Sequence, residues 1–358
     1  MTAPTWEEVP EPTPGPGEVV VRVSAVGLCR SDLDMQEMPA AAVEPAGWKF
    51  PFTLGHEIAG EVAALGEGID HLRVGEPVVV LPASSCGQCW YCLRSAPNNC
   101  SNAGSGRGFG DDGGLADFVL VKNARDIVPL GGLDPIHAAP LGDAGSTAYH
   151  GVDRIRGSLT PESTVVVFGA GGLGSFAIQF LRAVSPAFVV SVDMSTEKLA
   201  MARELGAHEA FEGVNDSTLD QIRELTDGRG ADAILDFVGI DRTIATGIAA
   251  VRPGGKYGLV GAGGGRLATP GEWFHLLPRD GEVFTYQGST VSNLESVMAL
   301  ARRGMIQSPV EVFSPDDIDT AYGKLRDGSL RGRAVIDFAR SWIGGRARQT
   351  SSPMATTI

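Results

Sequence analysis

The sequence predicts an α/β protein: a doubly wound parallel sheet joined to a smaller, mainly β domain. Three observations carry that expectation. A valine-rich strand, Thr164 to Phe168, runs straight into Gly169, Gly171 and Gly174 in the spacing G-x-G-x-x-G, and a helical pattern follows at once. Beyond it, apolar runs alternate with helical periods at the spacing that βαβ crossovers require. Before it, short apolar runs are separated by clusters of glycine and proline, as expected of small β-domains.

The glycine stretch comes first. In such a turn the first glycine permits a tight bend, the second lets backbone approach a pyrophosphate, and the third lets helix and strand pack closely. Gly172 and Leu173 complete the turn, and the helix that begins there offers free N–H groups to phosphate. The next strand ends in Asp193, about 20 residues on, where a carboxylate can accept from a ribose 2′-hydroxyl. It would also repel a 2′-phosphate, so NAD is expected over NADP. No arginine follows in Met194-Ser195-Thr196 to offset that repulsion.

Strands are expected over 164–168, 187–192, 208–211, 231–236, 256–260 and 282–287, with helices near 172–185, 196–206, 215–226 and 240–251. Before them, EVVVRVSAVGLC, IAGEVAALGEG, EPVVVLP and LADFVLV read as strands, and a helical pattern runs from Asp134 to about Arg156. Residues 291–304 and 315–327 read as helices and RGRAVIDF as a final strand, while the tail 339–358 lacks periodicity. The last elements are expected to return to the first domain. The division is then 1–145 with 288–358 for a catalytic, metal-holding domain, and 146–287 for the nucleotide domain.

Composition narrows the function. The chain has 358 residues, a net charge of −14 and 43% hydrophobic residues. Strong negative charge argues against nucleic acid or an anionic membrane as partner. No apolar run approaches the roughly 18 residues of a spanning helix, and the acidic, proline-rich N-terminus is unlike a signal peptide, so a cytoplasmic protein is expected. In such a reducing compartment the five cysteines read as metal ligands, not disulfides.

Four of them, Cys86, Cys89, Cys92 and Cys100, are spaced C-x2-C-x2-C-x7-C. Four thiolates on short spacers can enclose one tetrahedral Zn²⁺ with no open position, which is a structural site. The fifth, Cys29, ends a strand; His56 and Asp143 are its natural companions. Three protein ligands with an open fourth position define a catalytic zinc. Singly, each has a blander reading: a buried thiol, a core histidine, a helix N-cap.

The residues GLCRSD (27–32), GHE (55–57), the four-cysteine lobe, DAGSTAYH (143–150) and VVVFGAGGLG (165–174) resemble the zinc-dependent medium-chain alcohol dehydrogenases over nearly the whole chain. DAGSTAYH and GHE are most similar to bacterial secondary-alcohol dehydrogenases, where an aspartate is the third zinc ligand. The resemblance implies a GroES-like catalytic domain beside a Rossmann domain, NAD, one catalytic and one structural zinc, and a homodimer or homotetramer. It implies Cys29, His56 and Asp143 as catalytic ligands and Glu57 as a nearby, sometimes exchanging, carboxylate. Asp32 would orient His56, and Ser31 would bond the substrate oxygen and pass its proton on. Arg30 and Arg333 would face the pyrophosphate, Thr147 the nicotinamide, and Asp193 and Lys198 the adenosine ribose.

Two departures stand out. Where many relatives have a relay histidine, three residues past the serine, this chain has Asp34, which leaves open a polar or cationic substrate group. The segment before the proline-rich stretch is also short, as if an edge strand were trimmed or the start were set late. Trp48, Phe52, Phe109, Trp273 and Tyr286 are candidates for an apolar pocket suited to hydrophobic or aryl secondary alcohols. The expectation is therefore reversible hydride transfer between an alcohol and NAD. A polyol, sugar or amino-alcohol dehydrogenase is the alternative, and a non-catalytic nucleotide-binding protein the remaining one.

Overall fold

The computed structural model describes residues 5–43, 45, 48, 50–267, 277–339 and 347–351. Two compact units result, Met1–Ser146 with Gly288–Ile358, and Thr147–Gln287.

In the first unit, β1 (Thr5–Val9) precedes the long β2 (Val19–Leu28), whose run of valines suits a pleated, buried strand. Helix α1 (Arg30–Glu37) follows directly. Then come β3 (Glu57–Leu65), β4 (Pro77–Val80), β5 (Phe118–Val121) and β6 (Ile127–Pro129). The cysteine lobe lies between β4 and β5. The helical pattern expected from Asp134 to about Arg156 is present but interrupted. A helical turn at Pro135–Ala138 tightens into a 3-10 segment, Ala139–Gly142, before α2 (Ala144–Arg156). Asp143 stands at the break with φ −123° and ψ −68°, outside helical geometry.

The second unit holds β7 (Thr164–Phe168), α3 (Gly174–Val184), β8 (Phe188–Asp193), α4 (Thr196–Glu204), β9 (Glu209–Glu212), α5 (Asp216–Leu225), β10 (Ala231–Asp236), α6 (Asp241–Ala250), β11 (Val251–Leu259) and β12 (Glu282–Thr285). The sheet order is β9-β8-β7-β10-β11-β12, all parallel. Every residue of β7 is buried, as a central parallel strand demands. The order reverses between β7 and β10, which is where doubly wound folds bind ligands at the carboxyl ends of their strands. Val166, Phe168, Val190, Ile222, Ile234 and Tyr257 centre the core of this unit.

The chain then returns to the first unit as α7 (Val291–Arg302), β13 (Val310–Phe313), α8 (Ile318–Asp327) and β14 (Arg333–Asp337). Helix α8 stops at Gly328, whose φ of 70° gives the left-handed cap that ends many helices. Its seven-stranded sheet runs β13-β14-β2-β3-β4-β6, with β5 also on β2. Val21, Val26, Leu54, Ile58 and Ile336 lie in its core. The tail corrects the sequence reading, because β15 (Ala347–Ser351) pairs antiparallel with β1, Thr5 opposite Ser351. ARQTS carries no alternating pattern, so this strand follows from backbone pairing with a remote partner.

Candidate functional site

Cys29, His56, Glu57 and Asp143 each present a ligand atom within 4.8 Å of the others. The sheet makes this possible. Cys29 follows the last residue of β2, Glu57 opens β3 beside it, and His56 immediately precedes Glu57. Asp143 comes from the break before α2, where departure from helical geometry frees its side chain from the helix surface.

His56 is wholly buried. Its Nδ1 lies 3.1 Å from Asp32 Oδ1, while Nε2 has no hydrogen-bond partner and stands 3.4 Å from Asp143 Oδ2. A buried, unpartnered imidazole nitrogen among a thiol and carboxylates suits a ligand for a cation. Asp32 serves two ends at once. Its Oδ2 accepts from the Cys29 N–H at 2.8 Å at the start of α1, and its Oδ1 from Gly55 N at 3.3 Å as well as from the histidine side. Fixing the far imidazole nitrogen sets the ring's tautomer and aim.

Glu57 is also fully buried, and Arg333, from β14, donates to its Oε1. The resemblance assigned Arg333 to a pyrophosphate; in the structure its described partner is this carboxylate. Gly27 faces Glu57 across the β2–β3 pairing, and a Cβ there would stand 2.0 Å from Glu57 Oε2. The absence of a side chain at 27 is what lets the carboxylate fold over the strand.

The charges act on one another. Burial raises the Cys29 thiol, but Arg333 and His56 outweigh it and bring it to about 7. Burial lifts Glu57 to about 8 despite Arg333, with Cys29 and Asp143 adding to the rise. Burial disfavours charged His56, yet Asp32 and Asp143 overcome it and hold its proton well above the usual range. A cluster that retains a proton this strongly also favours a bound cation.

Ser31 Oγ lies 3.5 Å from Cys29 Sγ, on the first turn of α1. Arg30 and Asp34 are exposed on the same helix. An aromatic wall borders the histidine. The Phe109 ring is 4.6 Å from His56, Trp48 is 6.5 Å from Phe109 and 5.9 Å from Phe52, and Phe50 is 5.3 Å from Phe52. Trp48 is anchored by its indole N–H, which donates to Gly104 O at 3.0 Å. Phe50 was not singled out in the sequence. Tyr286 belongs to the other unit, where its hydroxyl donates to Thr147 O at 2.9 Å. Trp273 lies outside the described residues.

Cys86, Cys89, Cys92 and Cys100 form the second cluster. Cys89 Sγ is 3.5 Å from Cys92 Sγ and 3.8 Å from Cys100 Sγ. Tetrahedral Zn–S bonds of about 2.3 Å place sulfurs about 3.8 Å apart, so the cluster fits one closed zinc site.

In the second unit the glycines differ as their roles require. Gly169 has φ of 87°, and a Cβ on Gly174 would stand 1.7 Å from Gly169 O, so strand and helix touch there. A Cβ on Gly171 would meet nothing within 4 Å, leaving that side of the backbone open to a phosphate. Gly172 and Leu173 lead into α3. Asp193 ends β8, accepting from Ala170 N at 2.8 Å and Ser195 N at 2.9 Å, which ties it to the glycine turn. Lys198 is half-buried on α4, its N–H capped by Ser195 Oγ at 3.3 Å. This cradle fits a dinucleotide.

The pairing of Glu57 with Arg333, and the need for glycine at 27, were not read from the sequence. The bare Gly27 in GLCRSD and the carboxylate after His56 were the available signals, but only the β2–β3 register joins them.

Comparison with known proteins agrees with both halves of this geometry. The model of the alcohol dehydrogenase GroES-like domain matches residues 15–132, and that of the zinc-binding dehydrogenase matches residues 172–303. An NAD-dependent alcohol dehydrogenase of Sulfurisphaera tokodaii is 33% identical over 338 residues, covering 92% of this chain and 95% of its own. A D-arabinose 1-dehydrogenase (NADP(+)) of Saccharolobus solfataricus is 32% identical, covering 92% of this chain and 93% of its own. The crystal structure of the alcohol dehydrogenase from Aeropyrum pernix superposes with a TM-score of 0.85 at 32% identity, covering 92% of this chain and 95% of that one. With both family domains matched and relatives of this identity spanning almost the whole chain, the protein belongs to the zinc-dependent medium-chain alcohol dehydrogenases.

Proposed function

We propose that the protein is an NAD-dependent zinc alcohol dehydrogenase that interconverts secondary alcohols and ketones. The observation that carries this reading is the fully buried His56 with an unpartnered Nε2, grouped with Cys29 and Asp143. Zinc held by these three would supply a Lewis acid that acidifies an alcohol and polarises a carbonyl. NAD would supply the hydride acceptor.

The chain's own residues supply position and proton handling. Asp32 holds the imidazole so that Nε2 faces the cluster. Ser31, beside Cys29, takes the alcohol proton and hands it away from the site. Asp34, exposed further along α1, is the nearest replacement in sequence for the relay histidine. Glu57, held by Arg333, keeps a second carboxylate within reach of the cluster. The glycine turn takes the pyrophosphate, with Arg30 and Arg333 as the arginines proposed to face it. Thr147 packs on the nicotinamide, and Asp193 and Lys198 take the adenosine ribose.

The aromatic wall of Trp48, Phe52 and Phe109 favours hydrophobic or aryl substrates. A sugar or polyol reading is supported by the D-arabinose dehydrogenase among the relatives and by exposed Asp34. Asp193 supports NAD in either case, since its carboxylate repels a 2′-phosphate. A cytoplasmic homodimer or homotetramer acting on a small molecule completes the proposal. Among the described residues no helix is long and apolar enough to cross a membrane.

The test joins metal analysis to a substrate panel read by NADH absorbance. Two zinc per chain, with higher kcat/KM for aryl secondary alcohols than for sugars, is the expected result. One zinc per chain with NADH bound and no turnover would overturn it in favour of a binding protein. Higher kcat/KM for sugars would establish the second reading.

A further inference from the structure

A fully buried carboxylate in the second unit has no part in the function proposed above. Asp236 closes β10. Its Oδ1 accepts from the N–H groups of Val238 at 2.8 Å and Gly239 at 2.9 Å, and its Oδ2 accepts from the Tyr257 hydroxyl on β11 at 2.7 Å. Its main-chain carbonyl accepts from Val260 and Gly261, each at 2.9 Å. One residue thus fixes both loops that leave two adjacent parallel strands.

Those loops cross in backbone contact. A Cβ on Gly239 would stand 1.8 Å from Gly261 O, and one on Gly261 would stand 2.4 Å from the backbone of Phe237 and Val238. The first loop also lies on the glycine turn. Phe237 N–H donates to Phe168 O at 3.0 Å, and Val238 Cγ2 is 2.8 Å from where a Cβ of Gly169 would be. Burying a carboxylate is costly unless donors surround it. An apolar side chain could fill the volume, but it could not hold Val238 and Gly239 at a set height.

We propose that Asp236 and Tyr257 are positioning residues for the dinucleotide, fixing residues 237–239 against Gly169 so that this wall of the cofactor site is rigid before the cofactor arrives. The proposal rests on the dinucleotide reading of the glycine turn. A preformed wall spares the ligand the cost of ordering it, so loosening the wall weakens binding.

The test uses the full chain with Asp236→Asn, Asp236→Ala and Tyr257→Phe. NADH and ADP-ribose dissociation constants are measured by fluorescence and calorimetry well below each thermal midpoint, with zinc content as a control. Asp236→Ala and Tyr257→Phe are expected to weaken both ligands about tenfold, the effect of losing a buried tether. Asp236→Asn keeps an acceptor for Val238 and Gly239 and an amide opposite the tyrosine hydroxyl, so it is expected to stay within about threefold. All variants should retain two zinc per chain. A lower thermal midpoint with both dissociation constants within about twofold of wild type would make Asp236 purely structural and overturn the proposal. If Asp236→Ala does not fold, Tyr257→Phe decides by the same criteria. Wild-type protein that binds neither ligand would instead refute the dinucleotide reading itself.

Discussion

Replacing Gly27 with alanine tests the metal cluster through a residue that is not a ligand. The new methyl would lie 2.0 Å from Glu57 Oε2 and 3.0 Å from Glu57 Cβ and Cδ. Both strands are buried and paired here, so the backbone has little room to yield. Either the strands separate, an overpacking cost of about 1–3 kcal/mol, or Glu57 swings out and leaves Arg333 buried without its partner, at about 3–5 kcal/mol. The cheaper route sets the outcome, about 2 kcal/mol, and at about 2–4 °C per kcal/mol the midpoint falls by about 4–8 °C. The assay is calorimetric melting of Gly27→Ala, Glu57→Ala and the double variant. With the carboxylate already gone the methyl meets far less, so the two changes should be non-additive by about 2 kcal/mol. Strict additivity, or a midpoint unchanged in Gly27→Ala, would refute the reasoning. A crystal structure of the variant with the Glu57–Arg333 pair undisturbed would do the same.

Other outcomes follow from the same geometry. Cys29→Ala should keep its thermal midpoint and one zinc yet lose turnover, whereas Cys89→Ala should lose the other zinc and melt early; equal loss of activity with unchanged stability in both would contradict the division. Zinc uptake at the Cys29 cluster should weaken as pH falls, because ligands bind only when deprotonated. With the thiol at about 7 and His56 holding its proton well above the usual range, the loss starts above neutrality and steepens below it; competition with a chromophoric chelator across pH 6–9 reads the slope, and a flat profile sinks it. Phe109→Ala should cut kcat/KM for an aryl ketone more than for a short alkyl ketone, by about tenfold for loss of one aromatic contact; an equal effect on both would remove Phe109 from the substrate wall.

The sequence carried the nucleotide unit well because its signals are local. A strand, three glycines and a helix lie consecutively, and each glycine has a different surrounding in the structure, open space at Gly171 and close backbone at Gly174. The cysteine lobe was legible for the same reason, its four ligands falling in one short stretch. The cluster around Cys29 was less so. Residue type offered His56 and Asp143 as companions of Cys29 beside blander readings, and the resemblance strengthened the grouping, because strand register and the turn before α2, not spacing, bring them together. Glu57 and Arg333 are 276 residues apart, and no local pattern predicts their pairing. A helix start was among the readings of Asp143, but the 3-10 interruption at Ala139–Gly142 was missed because the pattern on both sides is helical. The ribbon of β1 and β15 was missed because its sequence is polar and its partner distant.

The placement of β14 also governs the order of assembly. The strand sits between β13 and β2, with Ala334 opposite Leu28, although the two segments leave the ribosome at opposite ends of translation. Throughout synthesis β2 can pair with β3 and, over Val19–Arg22, with β5, while its Ala25–Leu28 stretch stays open and Glu57 lacks its guanidinium. Residues 147–287, in contrast, emerge as one uninterrupted stretch and can fold while the remainder is still being made. The charge of the cluster is therefore balanced only in the final moments of biosynthesis, and a chain released short of β14 would expose a bare strand edge beside an unfinished cation site.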